Sequence, residues 1–196
     1  MKLPPPRFDS ALSLEQAIQA RRSVRSFSDA PVSLEHLAQL LWAAQGIINP
    51  VGLRAAPSAG ATFPLETFIV AGNINGLEAG IYQYYCQDHE ITLAVGGDQR
   101  QALSQAALGQ ASVVCAPLSL VIVAIAARTV SRYGERAARY VAMEAGHVAQ
   151  NIYLQATVLG LSTVAVGAFT DSEVRHVLAL DEAEPLYIMP IGKTES

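Results

Sequence analysis

The run LSLVIVAIA, Leu118 to Ala126, restricts this chain more than any other segment. A strand with one wet face alternates apolar and polar residues, and here Ser119 is the lone interruption. The run therefore reads as a central strand buried on both faces. Extended to Ala127 it is still about half of the roughly 20 residues that a membrane-spanning helix needs. No other segment looks like a membrane span.

Around that strand the periodicities alternate. Ser13 to Arg22 is predicted to be helical, with Ser13 and Gln16 as a capping box and an apolar stripe of Leu14, Ala17 and Ile18. A second helix follows from its N-cap, Ser33, to about Ala44, with Leu34, Leu37, Leu40, Leu41 and Ala44 on one face and Gly46 beyond. The long loop GIINPVGLRAAPSAGATFPLE comes next; structureless connections of that length are usually functional. TFIVA, GIYQYY and EITLAV (67–71, 80–85 and 90–95) read as strands with Gly, Asn and Asp in their turns. A short helix is expected from Asp98 to Ala107. The longest helix is expected from Glu135 to Leu159, carrying Val141, Ala145, Val148, Ile152, Ala156 and Leu159, with Ala142, Ala149 and Tyr153 widening the stripe. TVAVGAF is a strand leaving into a glycine turn, Thr170 and Glu173 cap a helix running to about Leu180, and LYIMPIGK closes the chain as a strand. With no repeats and no linker, residues 1–196 read as one α+β domain, of which 1–12 form an extended, proline-rich arm.

Composition sharpens the function classes. The chain is 51% apolar and 15% charged, which is greasy unless a partner covers some of its surface; that favours a dimer. A net charge of −4 argues against nucleic-acid or acidic-membrane binding. Cys86 and Cys115 lack metal spacing and read as reduced core thiols. The start, MKLPPPRFDS, has no apolar stretch of the secretory kind, so a cytoplasmic location is expected. His36, His89, His147 and His176 are scattered, and no metal site is expected. His147 reads as a helix residue paired with Glu144 at i, i+3.

Against that acidic background, Arg21, Arg22 and Arg25 crowd into five positions. A guanidinium fork matches a phosphate and Ser23 adds a hydroxyl, but cations also suit a helix C-terminus, and both readings stand on the residues alone. No P-loop or GxGxxG follows a strand, so a phosphate would be gripped mainly by side chains. In RAAPSAGATFP, the small residues Pro57, Ser58, Ala59 and Gly60 would admit a flat ligand, with hydroxyls from Ser58 and Thr62.

Together RRSVRSF, PSAGATFPLE, YGERAARYVAMEAGHVAQNIYLQATVLGL, AVGAF and MPIGK resemble the nitroreductase superfamily, and within it the SagB-type dehydrogenase branch. The resemblance covers almost the whole chain, in the family's order. It implies a dimeric α+β flavoprotein with a mostly antiparallel central sheet flanked by helices and FMN at the subunit interface. By the same resemblance Arg21, Arg22, Ser23 and Arg25 would hold the FMN phosphate and ribityl chain, and Lys193 would reach the phosphate too. Pro57 to Gly60 would come from the other subunit and lie against the isoalloxazine. Val166, Gly167 and Ala168 would form the turn that points a backbone amide at the flavin N5.

Azoline-oxidising members of that branch carry a Lys-Tyr pair where this chain has Arg132-Tyr133. An arginine cannot serve as a base, so that reading weakens. Tyr133 is either an acid or substrate contact, or simply part of the cap of the long helix. The expected function is an FMN-dependent oxidoreductase taking hydride from NADH, NADPH or a substrate C–H and passing electrons to a small-molecule acceptor. A non-catalytic flavin-binding protein and a peptide-modifying dehydrogenase are the alternatives.

Overall fold

The computed structural model describes residues 1–195. At its centre lies the expected strand, β4 (Leu118–Ala124), with all seven residues buried. It sits inside a six-stranded sheet with β1 (Leu65–Ala71), β2 (Gly80–Tyr85), β3 (Glu90–Gly96), β5 (Ser162–Thr163) and β6 (Glu184–Gly192), in the order β3-β2-β1-β4-β6-β5. Every pairing is antiparallel.

The alternation of β4 divides the core in two. Leu118, Leu120, Ile122 and Ala124 belong to one cluster with Leu37, Leu40 and Leu41 of α2 (Leu34–Gln45) and Val141, Val148 and Ile152 of α6 (Ala137–Val158). Val121 and Val123 belong to the other, with Leu103 of α3 (Arg100–Ala106), Val113 of α4 (Ala111–Cys115) and Val174 of α7 (Asp171–Val177). Two helical layers therefore cover one sheet, as α+β architecture requires.

Local signals place the helix starts. In α1 (Leu14–Ala20) both halves of the Ser13–Gln16 capping box form, and in α2 the Ser33 hydroxyl accepts from the His36 N–H. The N-terminal arm is pinned to the free edge of β3: Leu3 N–H donates to His89 O at 3.0 Å and Ile91 N–H to Met1 O at 2.9 Å. An otherwise open sheet edge is thereby paired.

Four expectations shift. The long helix begins at Ala137, because Gly134 at φ 53° breaks it from a separate helix, α5 (Ala127–Tyr133). TVAVGAF is a strand only at Ser162–Thr163. In the same register Val164 would face Pro190, which has no N–H to offer, and the Ala165 N–H goes to the Tyr153 hydroxyl. Thr170 is the N-cap of α7 without a side-chain bond, and the helix ends at Val177, with Ala179 left-handed at φ 54°. Both cysteines are free, but Cys115 is exposed at the end of α4 rather than in the core.

Because β4 is buried from both sides, truncation there leaves a cavity that neither helical layer can close. Ile122→Ala is expected to lower unfolding stability by about 2–5 kcal/mol, read as a lower urea midpoint at unchanged slope.

Candidate active site

Two side chains of α6, Tyr153 and Glu144, each hold a different loop, and roughly 14 Å of helix rise separates them.

At Tyr153, three segments meet. Beyond α1 the chain extends beside β5: Ser23 bridges Thr163 in parallel, and the Val24 N–H donates to Thr163 O at 3.0 Å. A few residues later the Ser28 N–H donates to Lys193 O at 2.9 Å, so the Arg-Ser segment and Lys193 lie on neighbouring strands of chain. The Tyr153 hydroxyl sits 3.0 Å from Ser23 Oγ and accepts the Ala165 N–H at 2.8 Å. The Arg21 guanidinium stacks over the same ring, 5.2 Å from its centroid. Val166 is then fixed by reciprocal bonds with Ile188, which leaves Gly167 exposed; a Cβ there would meet nothing nearer than the Tyr187 ring at 3.9 Å. The Ala168 carbonyl accepts from Gln110 at 3.0 Å. Arg25 is exposed. Arg22 is spent locally, donating to Gln19 O at 2.7 Å and Arg21 O at 2.8 Å, as a cation closing a helix C-terminus does.

Burial, and next the charge of Lys193, hold the His36 imidazole below its usual range; Glu35 opposes this and Arg7 adds to it.

The second loop, Pro57 to Phe63, is strained. Gly60, Ala61 and Phe63 all have positive φ, at 57°, 53° and 45°. Non-glycine residues there cost about 1–3 kcal/mol each. Helix α5 runs alongside and clips the loop: Arg128 NH1 donates to Phe63 O at 3.2 Å, Thr129 and Thr62 share a 2.9 Å hydroxyl contact, and Arg132 NH1 donates to Gly60 O at 2.9 Å. At about 0.5–1.5 kcal/mol per bond, the clip is of the right size to offset the strain. Gly60 is required for the close approach as well, since a Cβ would fall 2.5 Å from the Tyr133 hydroxyl. Tyr133 also packs edge-on against Tyr140, with ring centroids 4.8 Å apart. Arg132 and Tyr133 thus brace the Pro57–Gly60 turn.

The loop's hydroxyls are turned inward. Ser58 Oγ accepts from the Phe63 N–H at 2.9 Å and lies toward Glu144, where it favours the ionised carboxylate. Thr62 donates to Ala59 O at 3.0 Å. The loop offers an incoming ligand its backbone and small side chains rather than these two hydroxyls. Glu144 is only 3% exposed. Burial pushes its carboxyl above the usual range, against the Ser58 hydrogen bond and the nearby Arg54 charge.

Within one chain, then, Arg21 and Ser23 meet at Tyr153 with Ala165, just before Val166–Ala168, and Lys193 lies farther along the same segment beside Ser28, while Pro57–Gly60 and Tyr133 gather toward the other end of α6. Sequence reasoning missed Tyr153 and Glu144 as organisers. Glu144 had a signal, a carboxylate set among Val141, Ala145 and Val148; Tyr153 read only as part of an apolar stripe. No cluster of metal-ligating side chains occurs among the described residues, and none of their helices is long and apolar enough to cross a membrane.

Known proteins resemble this chain over most of its length. The profile of the nitroreductase family matches residues 18–193. A protein of Methanocaldococcus jannaschii named as a nitroreductase is 44% identical over 182 residues, 93% of this chain and 91% of the relative. A crystal structure from Ralstonia eutropha, also named as a nitroreductase, superposes with a TM-score of 0.88 at 29% identity, covering 100% of this chain and 90% of that one. A chain of the Escherichia coli microcin synthetase McbBCD complex, with truncated pro-MccB17 bound, superposes with a TM-score of 0.79 at 25% identity, covering 100% and 79%.

Glu144 gives a pH signature. A carboxyl whose pKa is raised on folding stabilises the fold while protonated, and that contribution is lost as pH rises through the folded value. Relative to wild type, Glu144→Gln is expected to gain stability as pH rises above about 4.5, the ordinary carboxyl value, and to level off once the folded-state carboxyl has ionised. Denaturant titrations of both proteins across that range check it; a constant difference would refute the buried-acid assignment.

Proposed function

The chain belongs to the nitroreductase family and is a flavin-dependent oxidoreductase, and we propose that it works as a single-domain homodimer binding FMN between its subunits. The observation that carries this reading is the seating of Arg21 and Ser23 on Tyr153, whose hydroxyl also holds Ala165 two residues before the open backbone at Gly167. Bound FMN would supply hydride acceptance at N5, from NADH, NADPH or a substrate C–H, and hydride release to a small-molecule acceptor.

The residues present fit that group. Arg21, Arg25 and Lys193 supply fixed positive charge for a phosphate dianion, and Ser23 supplies a hydroxyl. A Cβ at Gly167 would meet nothing nearer than the Tyr187 ring, which leaves room for a flat ring beside that exposed backbone. By the family resemblance, the braced turn Pro57–Gly60 would reach the site of a second copy. Exposed apolar side chains support such a partner: Leu14 is 61% exposed, Met143 53% and Ile48 53%. Leu14 and Ile48 line, with Leu154 and Val158 of α6, a surface cavity of about 410 Å³.

Likeness to a chain of the microcin synthetase complex favours a second reading, a dehydrogenase acting on a peptide. Arg132 weighs against the azoline form of it. That side chain stays protonated and is committed to the Gly60 carbonyl, so it cannot take a proton from a ring.

The purified protein is expected to be yellow, to release FMN on denaturation, and to bleach on anaerobic mixing with NADH or NADPH. Bleaching by neither nucleotide, but by a thiazoline peptide, would select the second reading. Arg21→Ala and Arg25→Ala should each weaken FMN binding by about 1.5–3 kcal/mol, measured by flavin fluorescence. Wild-type retention in the double variant contradicts the phosphate assignment. Dilution to monomer should release the flavin; a monomer that stays yellow excludes a shared site.

A further inference from the structure

We propose that Tyr153 is a positioning residue of the FMN site, whose hydroxyl turns the Ser23 proton outward toward the phosphate. The proposal rests on the reading that Arg21, Ser23 and Lys193 receive that phosphate.

The argument is proton bookkeeping. A phenol carries one proton, and its oxygen also accepts. The Ala165 N–H can only donate, and it donates to Tyr153 Oη at 2.8 Å. Either hydroxyl could donate across the 3.0 Å Tyr153–Ser23 contact, and a phosphate beside Ser23 would select the polarity in which the phenol donates to Ser23 Oγ. A serine hydroxyl has one proton and two lone pairs. With a lone pair taken by Tyr153, Ser23 keeps its proton free, and the residue is exposed. In the opposite polarity Ser23 would spend its proton on Tyr153 and present only lone pairs to a dianion, which is repulsive.

Geometry adds a second consequence. The same oxygen ties Ser23 to Ala165, two residues before Gly167, and Arg21 lies on the same ring. One side chain on the rigid α6 thus sets the spacing between the phosphate end of the site and the turn at Gly167. Ridged helix positions hold such contacts more closely than loops do. Nothing in the apolar stripe of α6 needs the hydroxyl for packing, so phenylalanine would fill the same place.

The test compares FMN with riboflavin, which has the same ring and no phosphate. Flavin-stripped dimer is titrated with each by fluorescence quenching, for wild type, Tyr153→Phe, Ser23→Ala and the double variant. Tyr153→Phe also removes the acceptor of the Ala165 N–H, a loss that falls on both flavins alike, so selectivity is the readout: the ratio of FMN to riboflavin affinity is expected to fall about five- to tenfold. Because Tyr153 orients Ser23, that ratio in the double variant should be no lower than in Ser23→Ala alone. An unchanged ratio in Tyr153→Phe, or additive losses of it in the double variant, overturns the proposal. Should Tyr153→Phe fail to fold, Ser23→Ala, an exposed change, must still lose FMN selectively, and equal loss of both ligands overturns the proposal there too. Arg21→Ala separates the levels: if it does not discriminate FMN from riboflavin, the phosphate reading itself has failed, whereas a selective loss there with none in Tyr153→Phe defeats only the role of Tyr153.

Discussion

Burial of β4 from both sides is the constraint on which the rest of the molecule depends. A strand with no wet face must lie between two layers, and its alternation assigns each layer a set of partners. On one face those partners are α2 and α6. Helix α6 is long enough to cross that face and pass under both loops of the site. The sheet thus fixes a helix, and the helix fixes the loops.

Each loop is held by a polar group that the helix carries into an apolar setting, and the two cases differ in cost. Tyr153 is half-buried and both bonds of its hydroxyl are made, so it adds order at little expense. Glu144 is almost fully buried and its carboxyl is shifted upward by desolvation. Its partners reduce that penalty without removing it. Burial of this kind, beside a strained turn with three positive φ values, is the pattern of a loop kept in place for function rather than for stability. Helix α5 completes the arrangement through Arg128, Thr129 and Arg132, which meet Phe63, Thr62 and Gly60.

The position of Arg132 explains a departure from the branch that the sequence resembles. An arginine fork reaches a backbone carbonyl and stays charged, which suits a brace. A lysine in the same place would be a titratable amine on a flexible stem. The substitution therefore moves this position from proton chemistry toward loop support, while Tyr133 remains against Gly60.

Much of this was legible without coordinates, and the boundary has a physical cause. Periodicity and capping are local, so Leu118–Ala124, the Ser13 capping box, the Ser33 N-cap and the apolar stripe of α6 could all be read directly. The clustering of Arg21, Arg22 and Arg25 marked a candidate anion site for the same reason. What a hydroxyl or guanidinium does is settled by neighbours distant in the chain. Ser58 looked available to a ligand, yet Glu144 and Phe63 engage it. Arg22 looked equal to Arg21, yet it closes its own helix. Tyr153 looked like core and proved to join Ser23 to Ala165. Residue types and spacing alone determined the layers and the chemistry on offer; only the tertiary structure decided which donors remain free, because hydrogen-bond partners are chosen by distance in space.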